Sequence, residues 1–204
     1  MKQINFSDYP IPVEVSAHHV HLSREHVEAL FGKDARLTPV KELSQPGQFA
    51  ADEKVTLVGP KGKVERVRVL GPERKETQVE ISKTEQYTLG IQPPIRDSGN
   101  VAGTPGIMLE GPAGSVELDH GVIAALRHIH MTPDDAKNLG LKNYDVVQVR
   151  ISGDRELIYG DVLIRVNESY RLVMHIDTDE GNAANAGPAT IAYIVKIQEG
   201  ADEL

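Results

Sequence analysis

Two stretches of this chain carry the same potential chemistry. Arg127-His128-Ile129-His130-Met131-Thr132-Pro133-Asp134 repeats the pattern of His18-His19-Val20-His21-Leu22-Ser23-Arg24-Glu25, a His-x-His followed by a helix start. In an extended strand, alternate side chains share one face at about 6.6 Å spacing, so each His-x-His aims two imidazoles at one point. Two such pincers suggest one or two metal ions. The chain has no cysteine, so any metal must rely on imidazole and carboxylate. Those donors build tetrahedral zinc sites, and catalytic ones keep a position open for water or substrate. A single His-x-His is often only an exposed strand face; its duplication in a duplicated context is what favours ligation.

Other residues can join these four imidazoles. His175 lies in a predicted strand with apolar neighbours on both sides and is a candidate fifth imidazole. Glu80, alternating with Gln78 ahead of a long loop, can supply the carboxylate. His18, His26 and His120 gain no such support: His26 is expected to be solvated at the third position of a helix, and His18, standing where the second copy has Arg127, to be a neighbour and not a ligand. Asp134-Asp135 suit a helix N-terminus. Lys41, Arg66, Arg68, Arg74 and Lys75 form a sparse basic cluster. It reads either as a solvated strand face or as a site where Arg74, shortly before Glu80, clamps a phosphate beside the metal. No P-loop or Rossmann glycine motif and no Ser-His-Asp or Cys-His set is evident.

The elements that must position these residues are short. An alternating run, Val13 to Ser16, predicts a strand leading into the first pincer, and Ser23 caps a helix that Gly32 ends. Val55 to Val58 and Val64 to Leu70 form a predicted hairpin around Gly59-Pro60-Lys61-Gly62. Ile107 to Glu117 repeats it, sharing Leu-x-Gly-Pro-x-Gly-x-Val-Glu. Thr77 to Ile81 is a further candidate strand, and Pro93 to Gly106 a long irregular connection. From Gly121 the opening pattern recurs, with Val122, His128, His130 and Leu139 matching Val13, His19, His21 and Leu30 at one constant offset. Thr132 is the N-cap, Pro133 the first helical residue and Gly140 the stop. Predicted strands follow at Val146 to Ile151, Val162 to Val166, Leu172 to Ile176 and Ile191 to Val195. The whole predicts a mainly β fold: two related β-barrel domains with short capping helices, produced by duplication, with the active site between them.

Composition removes several classes. A net charge of −8 argues against nonspecific nucleic-acid binding, which depends on Lys and Arg neutralising phosphates. An anionic small molecule still fits where basic residues converge. Apolar runs such as Val122 to Leu126 are too short to cross a bilayer, and the N-terminus lacks the order of a signal peptide. The expectation is a soluble, cytoplasmic protein with neither nucleic acid nor membrane as partner.

The ordered motifs Val15-Ser16-Ala17-His18-His19-Val20-His21-Leu22-Ser23, Leu43 to Ala50, Val69-Leu70-Gly71-Pro72, Gln78-Val79-Glu80-Ile81-Ser82, Arg127 to Thr132 and Met174 to Ala184 resemble the PduL-type phosphate propanoyltransferases. The resemblance runs from about Ile11 to Ala184. It implies transfer of a short acyl group, propanoyl or acetyl, between coenzyme A and inorganic phosphate, at two zinc ions lying between two β-barrels. By motif, His19, His21, Glu80, His128, His130 and His175 would be the metal ligands, and Arg74 would position phosphate. Ser16, Lys41, Arg68, Leu70, His175 and Asn182 would line the coenzyme A site. The resemblance also implies that the strand before His19 packs with the C-terminal half. The first barrel is then residues 8–17 with 126–195, the second 18–125, and 196–204 a tail. Members tied to bacterial microcompartments and propanediol degradation usually carry an extra amphipathic targeting helix, and only about a dozen residues precede the first strand here. Association with a microcompartment shell and homo-oligomer formation are both left open by the sequence. His18 replaces an expected Arg. Because no nucleophilic side chain presents itself, the expected reaction is direct transfer of the acyl group between coenzyme A and phosphate, with acyl phosphate as the other acyl carrier, in a ternary complex, and acyl length is set by the loop from Gly90 to Gly106. The rival readings are a zinc-dependent hydrolase of acyl compounds and a noncatalytic metal-binding β-module.

Overall fold

The computed structural model describes residues 6–198. A short 3-10 turn (Phe6–Asp8) leads into strand β1 (Ile11–Ser16), β2 (His19–His21) and helix α1 (Arg24–Phe31). Next come β3 (Pro39–Glu42), the hairpin β4 (Phe49–Val58) and β5 (Lys63–Gly71), β6 (Gln78–Glu80), α2 (Glu85–Leu89) and β7 (Ile95–Arg96). A second hairpin, β8 (Ile107–Glu110) and β9 (Ser115–Leu118), precedes β10 (Val122–Ala125), β11 (His128–Met131) and α3 (Pro133–Leu139). The last described elements are β12 (Val146–Ile151), β13 (Leu157–Val166), β14 (Val173–Asp177), α4 (Thr178–Ala184) and β15 (Ile191–Ile197). The mainly β expectation is borne out. Among the described residues no helix is long and apolar enough to cross a membrane.

The chain divides into two compact units, one of residues up to Ser16 together with those from Leu126 onward, the other of Ala17 to Ala125. The first is a closed barrel in the order β1-β14-β11-β13-β12-β15. Alternation builds it: in β12 the buried Val147, Val149 and Ile151 face inward, joining Ile129 of β11, Ile164 of β13 and Met174 of β14 in one core. Helix α3 adds Ala136 and Leu139 to this core, and its start is fixed by a capping box between Thr132 and Asp135. The final strand continues two residues beyond Val195, pairing Lys196 with Gln148 and Ile197 with Val147. The rest of the expected tail, from Glu199, lies outside the described residues.

The second unit is a nine-stranded sheet in the order β7-β10-β6-β2-β5-β4-β8-β9, with β3 paired to β4. Its strands do not close into a ring among the described residues, so it is a half-barrel where the first unit is a full one. Val20, Leu57, Val67, Val69 and Leu109 form its core with Val27 and Leu30 of α1. The two Gly-Pro-x-Gly turns share a use that their repetition did not reveal: each receives the C-terminal end of a short helix. Lys61 N donates to the Leu89 carbonyl at the end of α2 (3.1 Å), and Ala113 N to the Leu30 carbonyl at the end of α1 (3.0 Å). These turns satisfy carbonyls that a helix end leaves without partners. Glycine is required there, because a Cβ on Gly59 would lie 2.2 Å from Leu89 O and one on Gly111 2.4 Å from Leu30 O.

Four elements escaped the sequence reading. β3 and β7 are short and exposed, and α2 has five residues sitting inside what reads as loop. α4 has no apolar periodicity, and its signal is the capping box between Asp177 and Glu180.

Candidate metal centre

In the second unit, β2 lies between β5 and β6, which buries it from both sides. His19 and His21 share one face of it and are 6% and 3% exposed. The antiparallel register places Glu80 of β6 directly across from His19, and His19 Nε2 lies 3.4 Å from Glu80 Oε2. The donor atoms of His19, His21 and Glu80 all fall within 4.8 Å of one another. His19 Nδ1 donates to the Ala17 carbonyl (2.9 Å), which holds the ring with Nε2 toward the cluster. Burial pushes the His19 imidazole down, but the charge and hydrogen bond of Glu80 and the Ala17 carbonyl outweigh it and leave its pKa raised. His21 is held well below its ordinary value by burial, then by the charges of His19 and Arg74.

The barrel contains a second such group. β11 lies between β13 and β14, and His128 stands across from His175 of the antiparallel β14. His128, His130 and His175 bring their donor atoms within 4.8 Å of one another. His128 Nε2 is 3.1 Å from His130 Nε2, and His128 Nδ1 donates to the Leu126 carbonyl (2.8 Å), as His19 does to Ala17. Burial, then the neighbouring His128, His175 and Arg165, lower the pKa of His130 to about 2, so it is neutral and available as a ligand at any physiological pH. Tyr170, which the sequence reading passed over, packs against His130 with ring centroids 4.3 Å apart.

The duplication therefore extends beyond the two pincers. Glu80 and His175 occupy the same register position opposite the first histidine of each pincer. His18 pairs with Glu85 Oε1, and its counterpart Arg127 pairs with Glu180 Oε1 at 2.6 Å. His18 is thus turned to α2 and is not a member of the triad. Each pincer is also entered from a strand belonging to the other unit: β1 pairs in parallel with β14, and β10 with β6. A constant offset in sequence could show the copy but not this exchange.

Arg74 is held at the second unit's triad by its backbone, which donates to the Leu22 carbonyl (2.9 Å) beyond His21 and forms a bridge with Ser23. Its charge acts on both His19 and His21. The remaining basic residues do not converge there as a group. Arg68 donates to the Ala51 carbonyl (2.7 Å), and Lys41 and Lys75 are exposed. His26 is not simply solvated, since Nδ1 bonds the Thr77 hydroxyl (2.7 Å). His120 lies in an exposed cluster with Glu76 and Asp119, apart from either triad.

Residues 12–187 match the phosphate propanoyltransferase family, a span that takes in both triads and Arg74. The chain belongs to that family. A phosphate propanoyltransferase of Thermotoga maritima is 59% identical over 92% of this chain and 90% of its own length. Proteins of the same name from Alkaliphilus metalliredigens and Clostridioides difficile are 53% and 50% identical, each covering 91% of this chain and 88% and 89% of their own. The family is one of acyltransferase enzymes.

Both triads fit a metal. Each offers imidazole or carboxylate donors with no competing thiolate, and carbonyls orient the leading histidines. His130 Nδ1 is buried with no hydrogen-bond partner, and His21 Nδ1 has none of normal geometry, the Leu70 carbonyl acting only weakly on that ring. Of the expected coenzyme A residues, the barrel unit holds Ser16, across from Asp177 at the start of α4, with His175 on β14 and the exposed Asn182 on α4 itself. The other unit holds Lys41 on β3 and Arg68 and Leu70 on β5, where Arg68 stands beside His19 in register.

Proposed function

We propose that this protein reversibly transfers a short acyl group, propanoyl or acetyl, between coenzyme A and inorganic phosphate at a two-zinc centre. The observation that carries the proposal is the pair of triads at matching register positions within the span shared with the phosphate propanoyltransferases. His19, His21 and Glu80 would hold one zinc, and His128, His130 and His175 the other. Bound there, zinc supplies Lewis acidity that lowers the pKa of a thiol and polarises an acyl carbonyl.

The chain's own residues do the rest. Arg74 presents a guanidinium whose fork matches two phosphate oxygens, orienting phosphate and balancing its charge. Ser16, Lys41, Arg68, Leu70, His175 and Asn182 would bind coenzyme A, with the two cations meeting its phosphates. In one direction a phosphate oxygen attacks the thioester carbonyl: the carbon–oxygen bond forms, the carbon–sulfur bond breaks, and coenzyme A leaves as the thiolate. The reverse reaction retraces this path. The chain has no cysteine to carry an acyl group, which favours direct transfer in a ternary complex.

The test is product identity on metal-analysed protein given acetyl-CoA or propanoyl-CoA with phosphate, and His128→Ala as control. Acyl phosphate and free coenzyme A in equal amounts are expected. Free acid alone would identify a zinc hydrolase, and activity surviving metal removal would overturn the ligand assignment.

A further inference from the structure

Glu80 is the single carboxylate in the two triads, and a carboxylate, unlike an imidazole, presents two equivalent oxygens. The surrounding sheet and loop make them inequivalent. Gln78, on the same strand and only 2% exposed, donates from Nε2 to Glu80 Oε1 (2.6 Å) and to Ser98 Oγ (2.8 Å), while its Oε1 accepts from Gly99 N (2.7 Å). Ser98 Oγ donates to the same Glu80 Oε1 (3.2 Å) and accepts from Arg74 Nη1 (3.4 Å).

The donor directions in this network are forced. The Gly99 N–H can only donate, so the Gln78 amide must turn its oxygen there and its two N–H groups toward the carboxylate and the hydroxyl. The neighbours of Ser98 are two donors and one acceptor, so its proton goes to Glu80 and both lone pairs are occupied. Both N–H groups of Gln78 and every valence of the Ser98 hydroxyl are used. Two donors fix Oε1, and Oε2 is the oxygen turned to His19. The barrel unit supplies the contrast: the ligand opposite the pincer is an imidazole, and two residues before it stands the apolar Val173 where the other unit has Gln78.

We propose that Gln78 and Ser98 are positioning residues that restrict Glu80 to a one-oxygen metal ligand and join it to Arg74. The placement of the metal and of phosphate is then set by one hydrogen-bonded network. This inference rests on the function proposed above.

Zinc affinity, measured by competition with a chromophoric chelator in a His130→Ala background, reads the Glu80 triad by itself. Ser98→Ala, at a half-buried loop position, and Gln78→Leu are each expected to weaken zinc binding about 10-fold, and Ser98→Thr to restore it. In the otherwise unaltered protein, Ser98→Ala should raise KM for phosphate more than it lowers kcat. Zinc affinity unchanged in both Ser98→Ala and Gln78→Leu overturns the proposal. So does a Ser98→Ala protein with parental zinc affinity and no turnover, because Ser98 would then act on the reaction without placing the metal. Failure of the parent protein to form acyl phosphate would count against the function instead, leaving the zinc comparison intact.

Discussion

At the residue scale, Arg74 and His19 carry the sharpest expectations. On the proposed function, Arg74→Ala removes the cation that would meet phosphate, and kcat/KM for phosphate should fall roughly 100-fold, in line with loss of one transition-state donor. Arg74→Lys should recover only part of it, because an ammonium keeps the charge but not the two-pronged geometry. An unchanged KM for phosphate in Arg74→Ala would remove Arg74 from the site. His19 sets a pH dependence. Its pKa is raised above 6.5, so in the metal-free protein its pairing with Glu80 contributes stability in full below pH 6.5 and loses it as pH rises through the raised value. Metal uptake must displace that proton. Calorimetric zinc titrations in buffers of differing ionisation enthalpy should show proton release near pH 6.5 that fades above the raised pKa. Release that does not vary with pH would place the proton elsewhere. The four pincer histidines were legible as candidates from residue type and spacing, since His-x-His in a strand has only one geometric outcome, whereas Glu80 and His175 could be offered only from strand alternation and their neighbours. Gln78 and Ser98 were not, because their role depends on a loop folding back over β6.

At the element scale, the repeated Gly-Pro-x-Gly turns act as seats for helix ends. Gly111→Ala would drive a Cβ to 2.4 Å from the Leu30 carbonyl and 2.8 Å from its Cβ, so α1 must shift. A loss of about 1–3 kcal/mol is expected by urea unfolding. Gly187→Ala meets nothing within 4 Å and should fall within about 0.5 kcal/mol of the parent. Equal stability of the two variants would mean that α1 does not depend on its seat. Strands and helices with clear periodicity and caps, such as β12 and α3, were readable because local preferences and burial agree. α4 was not, since Thr-Asp-Glu-Gly-Asn-Ala-Ala offers no apolar stripe and its helix is specified by caps and by Gly181, whose missing Cβ lets Val15 approach closely.

At the scale of the whole molecule, the proposal requires both triads to serve one reaction. His21→Ala and His130→Ala should each cost most of the turnover, and the double variant little more than either single one. Multiplicative losses would indicate two independent centres. Removing metal with a chelator should abolish turnover and lower the melting temperature, because ions held by the native state stabilise it by mass action.

The sequence by itself determined the donor chemistry, the duplication and the mainly β class. These follow from residue type, a period of two along a strand and the absence of cysteine, all properties of local order. Only the tertiary structure decided that one unit closes into a barrel while the other stays a half-barrel, and which strands flank each pincer. It alone showed that Glu80 and His175 are counterparts across from His19 and His128. Strand partners are chosen by register and burial between residues far apart in the chain, and no local pattern encodes which distant strand will supply them.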